Sequence, residues 1–283
     1  MRHGIVGLLC AVLSCAVLAA GPDAVRKREE ATMLVTGRID VMPDGSVHGY
    51  SIDRPEKVPA AVTDLIQKNV PNWKFKIADN SNVIEQARMN LRIVAKPTDD
   101  GQYAIRIASS SFGEQKDLGS EYVSAKDRAA PKYPLSAEKA RVDGTVYLFL
   151  RVGRQGQVED AVAEQVNLRQ YGSDMEMQRY RDVLADAALK AAKTWTFNTP
   201  TTGKHVADAY WNVRVPVAFN LKVRGAPEDD TYGKWQGYIP GPRQPIPWAQ
   251  KTPQLSISPD AIPAGSISQA DQNLQLMTPP AGA

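Results

Sequence analysis

The sequence predicts an α+β protein made of two tandem units, each an antiparallel sheet with a helix packed on one face. Three observations predict it. Residues 33–95 and 144–221 both read as strand, strand, helix, strand from their apolar periodicity. Their strands alternate apolar and polar residues, so each sheet has one buried face. The two stretches also share a register, because Trp195, Phe197, Ala209, Asn212 and Arg214 each stand 122 positions after Trp73, Phe75, Ala87, Asn90 and Arg92. Matches in one gapless register, a tryptophan among them, point to an internal duplication. The alternative is two unrelated units that share a helix-to-strand ending.

In the first unit, placed at residues 31–110, Val35 to Val41 is a strand, Met42-Pro43-Asp44-Gly45 a turn and Ser46 to Ile52 a second strand. A helix follows with Pro59 in its first turn and Val62, Leu65, Ile66 and Val70 on one stripe, and Pro71 ends or bends it. Met89, Leu91 and Ile93 then face inward from a strand whose Arg88, Asn90 and Arg92 face out. DDGQYAIRI at 99–107 adds a turn and a further short strand, and residues 111–129 form a polar connector.

The second unit, residues 130–223, is clearer. Val146, Leu148, Leu150 and Val152 share one face of a strand that turns at Gly153-Arg154-Gln155-Gly156 into a partner, Gln157 to Glu164. A helical stripe runs from Val183 and Leu184 through Ala187, Ala188, Ala191 and Ala192 to Trp195. The spacing from turn glycine to tryptophan, Gly156 to Trp195, is eleven residues longer than Gly45 to Trp73 in the first unit, and the polar stretch Asn167 to Tyr180 is expected to hold the surplus. Trp211, Val213, Val215, Val217, Phe219 and Leu221 close the unit as a strand with one wet face, and Pro216, having no N–H, places that strand at an edge or a bulge. Trp73 and Trp195, each ending an apolar helical stripe, are expected to anchor helix to sheet.

Both ends differ in character. Residues 1–20 carry Arg2 and then an uncharged, mostly apolar run from Ile5 to Ala20, shorter than the ~20 residues of a membrane-spanning helix. They read as a signal peptide cut near Ala19 or Ala20. Retention as an inner-membrane anchor and lipidation at Cys15 are the alternatives, and only these would bring the chain to a membrane. Cys10 and Cys15 are the two cysteines, so a cleaved chain has neither a disulfide nor a thiolate nucleophile. Ten of the twenty prolines lie beyond Arg224, so residues 224–283 read as a largely disordered or extended tail. Within it, KWQGYIPGPRQPIPW either docks elsewhere through Trp235, Tyr238 and Trp248 or straps its own domain.

The chemistry of catalysis is absent from the sequence. A net charge of +3 with no basic run beyond Arg26-Lys27-Arg28 argues against a nucleic-acid partner. No HExxH, GxSxG, GxxxxGK[ST] or GxGxxG occurs, and His48 and His205 stand apart, so no metal site, no cofactor and no enzymatic activity are expected. The carboxylates of Asp99-Asp100 and Asp229-Asp230 read as turn and surface residues. A periplasmic hydrolase, the alternative of another class, has no motif behind it.

Pro131-Lys132-Tyr133-Pro134, the short helix Ser136 to Ala140, Gly144-Thr145-Val146, Gly156-Gln157-Val158, Trp195-Thr196-Phe197 and the closing apolar strand, taken in order, resemble the C-terminal domain of the TonB family. Pro43-Asp44-Gly45 and Trp73-Lys74-Phe75 make the first unit look like a degenerate copy. The resemblance implies a domain in the periplasm of a Gram-negative cell envelope that binds a short peptide of an outer-membrane transport protein. It further implies strand addition, an extended peptide pairing with an exposed sheet edge. The expected contact residues are Trp211, Asn212, Val213, Arg214, Val215, Pro216 and Val217 of the last strand, with Lys132 and Tyr133. A membrane-anchored energy transducer of the same family is the runner-up. Against it stand the short distance from leader to first strand, a proline-rich stretch that follows the domain, and Ala130 where the transducer carries a glutamine. No oligomeric state follows from the resemblance.

Overall fold

A computed structural model describes residues 30–78, 82–98, 102–113, 120–221, 230–249, 259–270 and 274–278. The leader and its cleavage site lie outside the described residues. Two antiparallel sheets, each with helix on one face, form an α+β architecture.

The first sheet is built on β1 (Glu30–Val41), paired along one side with β4 (Glu85–Pro97), which in turn pairs with β5 (Tyr103–Gly113). The other side of β1 is shared by β2 (Val47–Ile52) and by β11 (Gln236–Tyr238) from the tail. Helix α1 (Ala60–Asn69) buries Val62, Leu65 and Ile66 against Met33, Val35, Met89 and Leu91. It ends at Asn69 in a short 3-10 turn, Val70–Asn72, because Pro71 cannot continue the α-helical ladder. The chain then enters β3 (Phe75–Ile77) through Trp73, which is 1% exposed.

The second sheet has β7 (Gly144–Gly153) at its centre, with β8 (Val158–Leu168) on one side and β10 (Tyr210–Phe219) on the other. Beneath it lie α2 (Leu135–Lys139) and α3 (Asp174–Ala192), the latter leading to β9 (Thr196–Asn198) through the buried Trp195. Helix α3 starts well before the apolar stripe that begins at Val183. Ser173 accepts from the Glu176 N–H, and the Glu176 carboxylate accepts from the Ser173 N–H, a capping box that nucleates two extra turns. Most of the eleven surplus residues therefore lengthen the helix rather than form a loop.

The hairpin turns of the two sheets share one local geometry. Gly45 and Gly156 sit at φ 79° and 80°, a region that costs a side chain energy. A Cβ on Gly45 would come within 2.1 Å of the Phe75 carbonyl oxygen, and one on Gly156 within 2.0 Å of that of Phe197. Phe75 N–H donates to Gly45 O and Phe197 N–H to Gly156 O, each at 2.8 Å. Glycine at these points lets the turn lie flat on the strand that follows the helix. That strand is also widened in both halves, β9 by β6 (Ser124–Asp127) and β3 by β13 (Leu274–Leu276).

The tail departs most from expectation. Where described, it packs along both sheets instead of lying free. Ile239 exchanges backbone hydrogen bonds with Leu168 (2.7 and 3.1 Å), and Gln244 N–H donates to Glu164 O (2.7 Å), so after β11 the tail follows the outer edge of β8. Ile246, Trp248 and Ala249 then cross the face opposite the helices and pack on Phe149. Residues 259–262 cross to the first sheet, where Arg92 donates to the Asp260 carbonyl (2.7 Å) and Ser109 to the Asp260 carboxylate (2.9 Å). The outer faces of both sheets, with the tail, line an open cleft of about 880 Å³ bordered by Thr32, Arg92, Tyr147, Asn167 and Tyr232. Tyr147 is pushed up to about 12, first by burial and then by the Asp260 charge.

Asp230 fastens the start of the described tail to the first half, bonding Lys57 Nζ at 2.6 Å and Arg54 at 2.8 Å. Lys57's hydrogen bond, then the Tyr232 N–H and the nearby Arg54 charge, hold its carboxyl at about 2, below the ordinary 3.8. A lowered folded pKa means that the fastening is intact above the unfolded value and is lost as pH falls through the folded one. Amide protection at Tyr232 and its neighbours, taken relative to the intrinsic exchange rate at each pH, is therefore expected to fall as pH drops from 3.8 towards about 2. A carboxyl midpoint near 4 by NMR titration would overturn the fastening.

Candidate partner-binding edge

The expected contact strand, β10, pairs with β7 from Tyr210↔Gly153 to Phe219↔Gly144 without a break. Its apolar residues Trp211, Val213, Val215 and Val217 point into the core between sheet and helices, so none offers its side chain to a partner. Trp211 also donates its indole N–H to His205 O at 3.0 Å. What β10 presents outward is backbone, from Asn212, Arg214 and Pro216.

Pro216 explains how both edges of β10 are used. Backbone groups alternate sides along a strand, and Asn212 O and Pro216 O both accept from the tail. The N–H that proline lacks would thus have pointed outward. The ladder to β7 loses nothing, and outward pairing is curtailed at Pro216.

The outward edge is occupied by the chain itself. Tail strand β12 (Ser268–Gln269) pairs with it in the register Val213↔Gln269 and Arg214↔Ser268. Ala270 N–H donates to Asn212 O at 2.8 Å and Gly265 N–H to Pro216 O at 3.1 Å. At the matching place in the first sheet, β4 is covered by β5 along its whole stretch from Arg88↔Gly113 to Pro97↔Tyr103. One edge is sealed by a full strand, the other latched by a short one.

The polar residues of β10, expected on a wet face, are covered. Arg214 is 6% exposed and Glu164 on β8 is 0% exposed. Arg214 Nε donates to Glu164 Oε2 at 2.8 Å, and tail residue Arg243 donates to Glu164 Oε1 at 2.9 Å. One carboxylate thus ties β10, β8 and the tail together, with the Arg214 guanidinium also over the Phe149 ring at 5.2 Å. Asn212 Oδ1 accepts from the Trp248 indole at 3.0 Å. Of the tail aromatics, Trp248 serves as a strap, while Trp235 is 37% exposed.

Tyr133 and Lys132 lie apart from this edge. Tyr133 donates its hydroxyl to Val142 O at 2.5 Å, beside Asp143 Oδ1 at 3.2 Å, and its ring meets Phe219 edge-on at 5.5 Å. Burial, helped by the Asp143 charge, raises its pKa well above the usual phenol range. Tyr133 thus pins the entry segment to the end of β10. Lys132 is exposed next to it.

Sequence reasoning missed Glu164, Arg243 and the tail residues Gly265, Ser268, Gln269 and Ala270. A run as short as Ser266-Ile267-Ser268-Gln269 has too few alternations to read as a strand. Glu164 looks like an ordinary solvated strand residue until its two arginine partners are seen. Among the described residues, no three His, Cys, Asp or Glu side chains gather as a metal site, and no helix is long and apolar enough to cross a membrane.

No family model matches the chain. Over 106 residues, 37% of its length, it is 36% identical to the Protein TonB of Xanthomonas campestris pv. campestris strain B100. It matches the Protein TonB of strain ATCC 33913 of the same pathovar equally well. The matched stretch spans 41% of the length of these curated relatives. The chain thus carries a TonB-like stretch on an α+β scaffold with antiparallel sheets.

Proposed function

We propose that this chain is a non-enzymatic, TonB-like binding protein of the periplasm that supports outer-membrane transport. Its second unit, residues 130–223, takes an extended segment of an envelope or outer-membrane protein along the β10 edge by strand addition. One observation carries the reading: an extended segment already docks on that edge through backbone hydrogen bonds at Asn212 and Pro216, held by only a two-residue pairing. Backbone pairing supplies affinity on such an edge whatever the side chains inside the sheet. The first unit, residues 31–110, is in this reading a worn copy whose equivalent edge is filled by β5. The matched glycine turns and the common 122-residue offset support it.

Photocrosslinkers at Tyr210 and Ala218 test the reading. Both are exposed and flank the occupied part of β10, so neither disturbs the Glu164 cluster. Crosslinking in cells is expected to recover an envelope or outer-membrane protein through one short segment of its chain. Recovery of none from either position would overturn strand addition.

A further inference from the structure

We infer that residues 263–270 are the resident occupant of the β10 edge and that their own side chains define the segment which displaces them. That segment is extended, with a β-branched apolar residue and an amide two positions apart on the helix side, followed by a small residue on the opposite side. The inference rests on the strand-addition reading above and names its ligand class.

Each part comes from how the occupant sits. Alternation along β12 sends Ile267 and Gln269 to one face and Ser268 and Ala270 to the other. Ile267 packs against the core shared by β7, β10 and α3. Gln269, 4% exposed, accepts through Oε1 from the Val123 N–H at 3.1 Å, a buried slot that an amide oxygen fills. Ala270, 5% exposed, lies with Phe149, Ile246 and Ala249, where a larger residue would meet packed side chains.

The occupant is also held weakly enough to leave. Its ladder pairs Val213 and Arg214, single backbone bonds to Asn212 O and Pro216 O flank it, and Pro216 offers no donor to extend it. The Gln269 Nε2 is buried with no hydrogen-bond partner among the described residues. An unpaired buried donor weakens the docking that buries it. Tethering compensates, since a segment on the same chain acts at an effective concentration on the order of millimolar. A competing segment therefore gains access when the tether loosens or when its contacts are better.

The test uses the full chain and a fluorescent peptide of residues 263–270. Ser268 stands opposite Arg214, so Ser268→Pro removes a donor from the centre of the ladder. By anisotropy, the S268P chain is expected to bind the peptide at least about tenfold more tightly than the native chain, whose own tail competes. A peptide carrying Gln269→Ala is expected to bind the S268P chain about tenfold more weakly than the native peptide. Equal binding by the native and S268P chains, or by the two peptides, would overturn the inference. If circular dichroism shows S268P misfolded, Gln269→Ala in the full chain serves as the second loosened variant, with the same criteria. A loosened chain that takes the peptide while Tyr210 and Ala218 crosslink to no envelope protein keeps the latch and loses the transport reading. Crosslinks without peptide uptake do the reverse.

Discussion

Glu164→Ala is expected to lower stability by about 3–5 kcal/mol, the usual cost of removing one partner from a buried ion pair. The reason is what it leaves behind. Arg214, buried on β10, loses the carboxylate at 2.8 Å, and Arg243 on the tail loses the same group. A guanidinium in that position cannot deprotonate and has no water to turn to. Glu164→Gln keeps the shape and some acceptor capacity, and its loss is expected to fall between native and alanine. Urea denaturation measures the loss, and hydrogen exchange at Ala270 reports whether the tail loosens with it. A loss for Glu164→Ala below about 1 kcal/mol, the range of exposed pairs, would show that the cluster is solvated.

Trp195→Ala is expected to cost a further large amount, about 3–5 kcal/mol, as for other buried tryptophans cut to alanine. The ring is 3% exposed and its N–H donates to Ala129 O at 2.9 Å, so the change leaves both a void and an unpaired carbonyl. Trp73→Ala is expected to cost a similar amount in the first half, where the ring is 1% exposed and meets Phe112 edge-on at 5.9 Å. Trp195→Phe, which keeps most of the apolar volume, should cost clearly less. Denaturant midpoints for the three variants check this. Alanine variants that lose less than about 1 kcal/mol would remove the tryptophans from the role of core anchors.

How much of this was legible before the structure depends on the range of the interaction. The helix stripes ending at Trp73 and Trp195, the hairpin turns at Gly45 and Gly156 and the alternation of β10 rest on neighbours a few residues apart, and each was readable. The start of α3 is equally local, because Ser173-Asp174-Met175-Glu176 carries its own cap, although the apolar stripe begins only at Val183. The expectation of an edge strand at β10 rested on a local feature, Pro216. Between Trp211 and Val217 its side chains are committed to the core or to the tail strap. Tyr133 similarly serves packing, through an acceptor at Val142 that no spacing announces.

The α+β class, the helix and strand faces, the glycine turns and the strand whose outward donors are interrupted by proline are all written in local sequence. These follow from periodicity and from backbone limits that each residue carries with it. The wrapping of the described tail residues, the joint burial of Arg214 and Glu164 and the occupant of the β10 edge arise in the folded arrangement alone. The physical reason is distance along the chain. Ser268 meets Arg214, and Arg243 meets Glu164, through contacts that exist only after both sheets have formed. A short polar segment with no periodicity of its own acquires its strand from the edge it lands on.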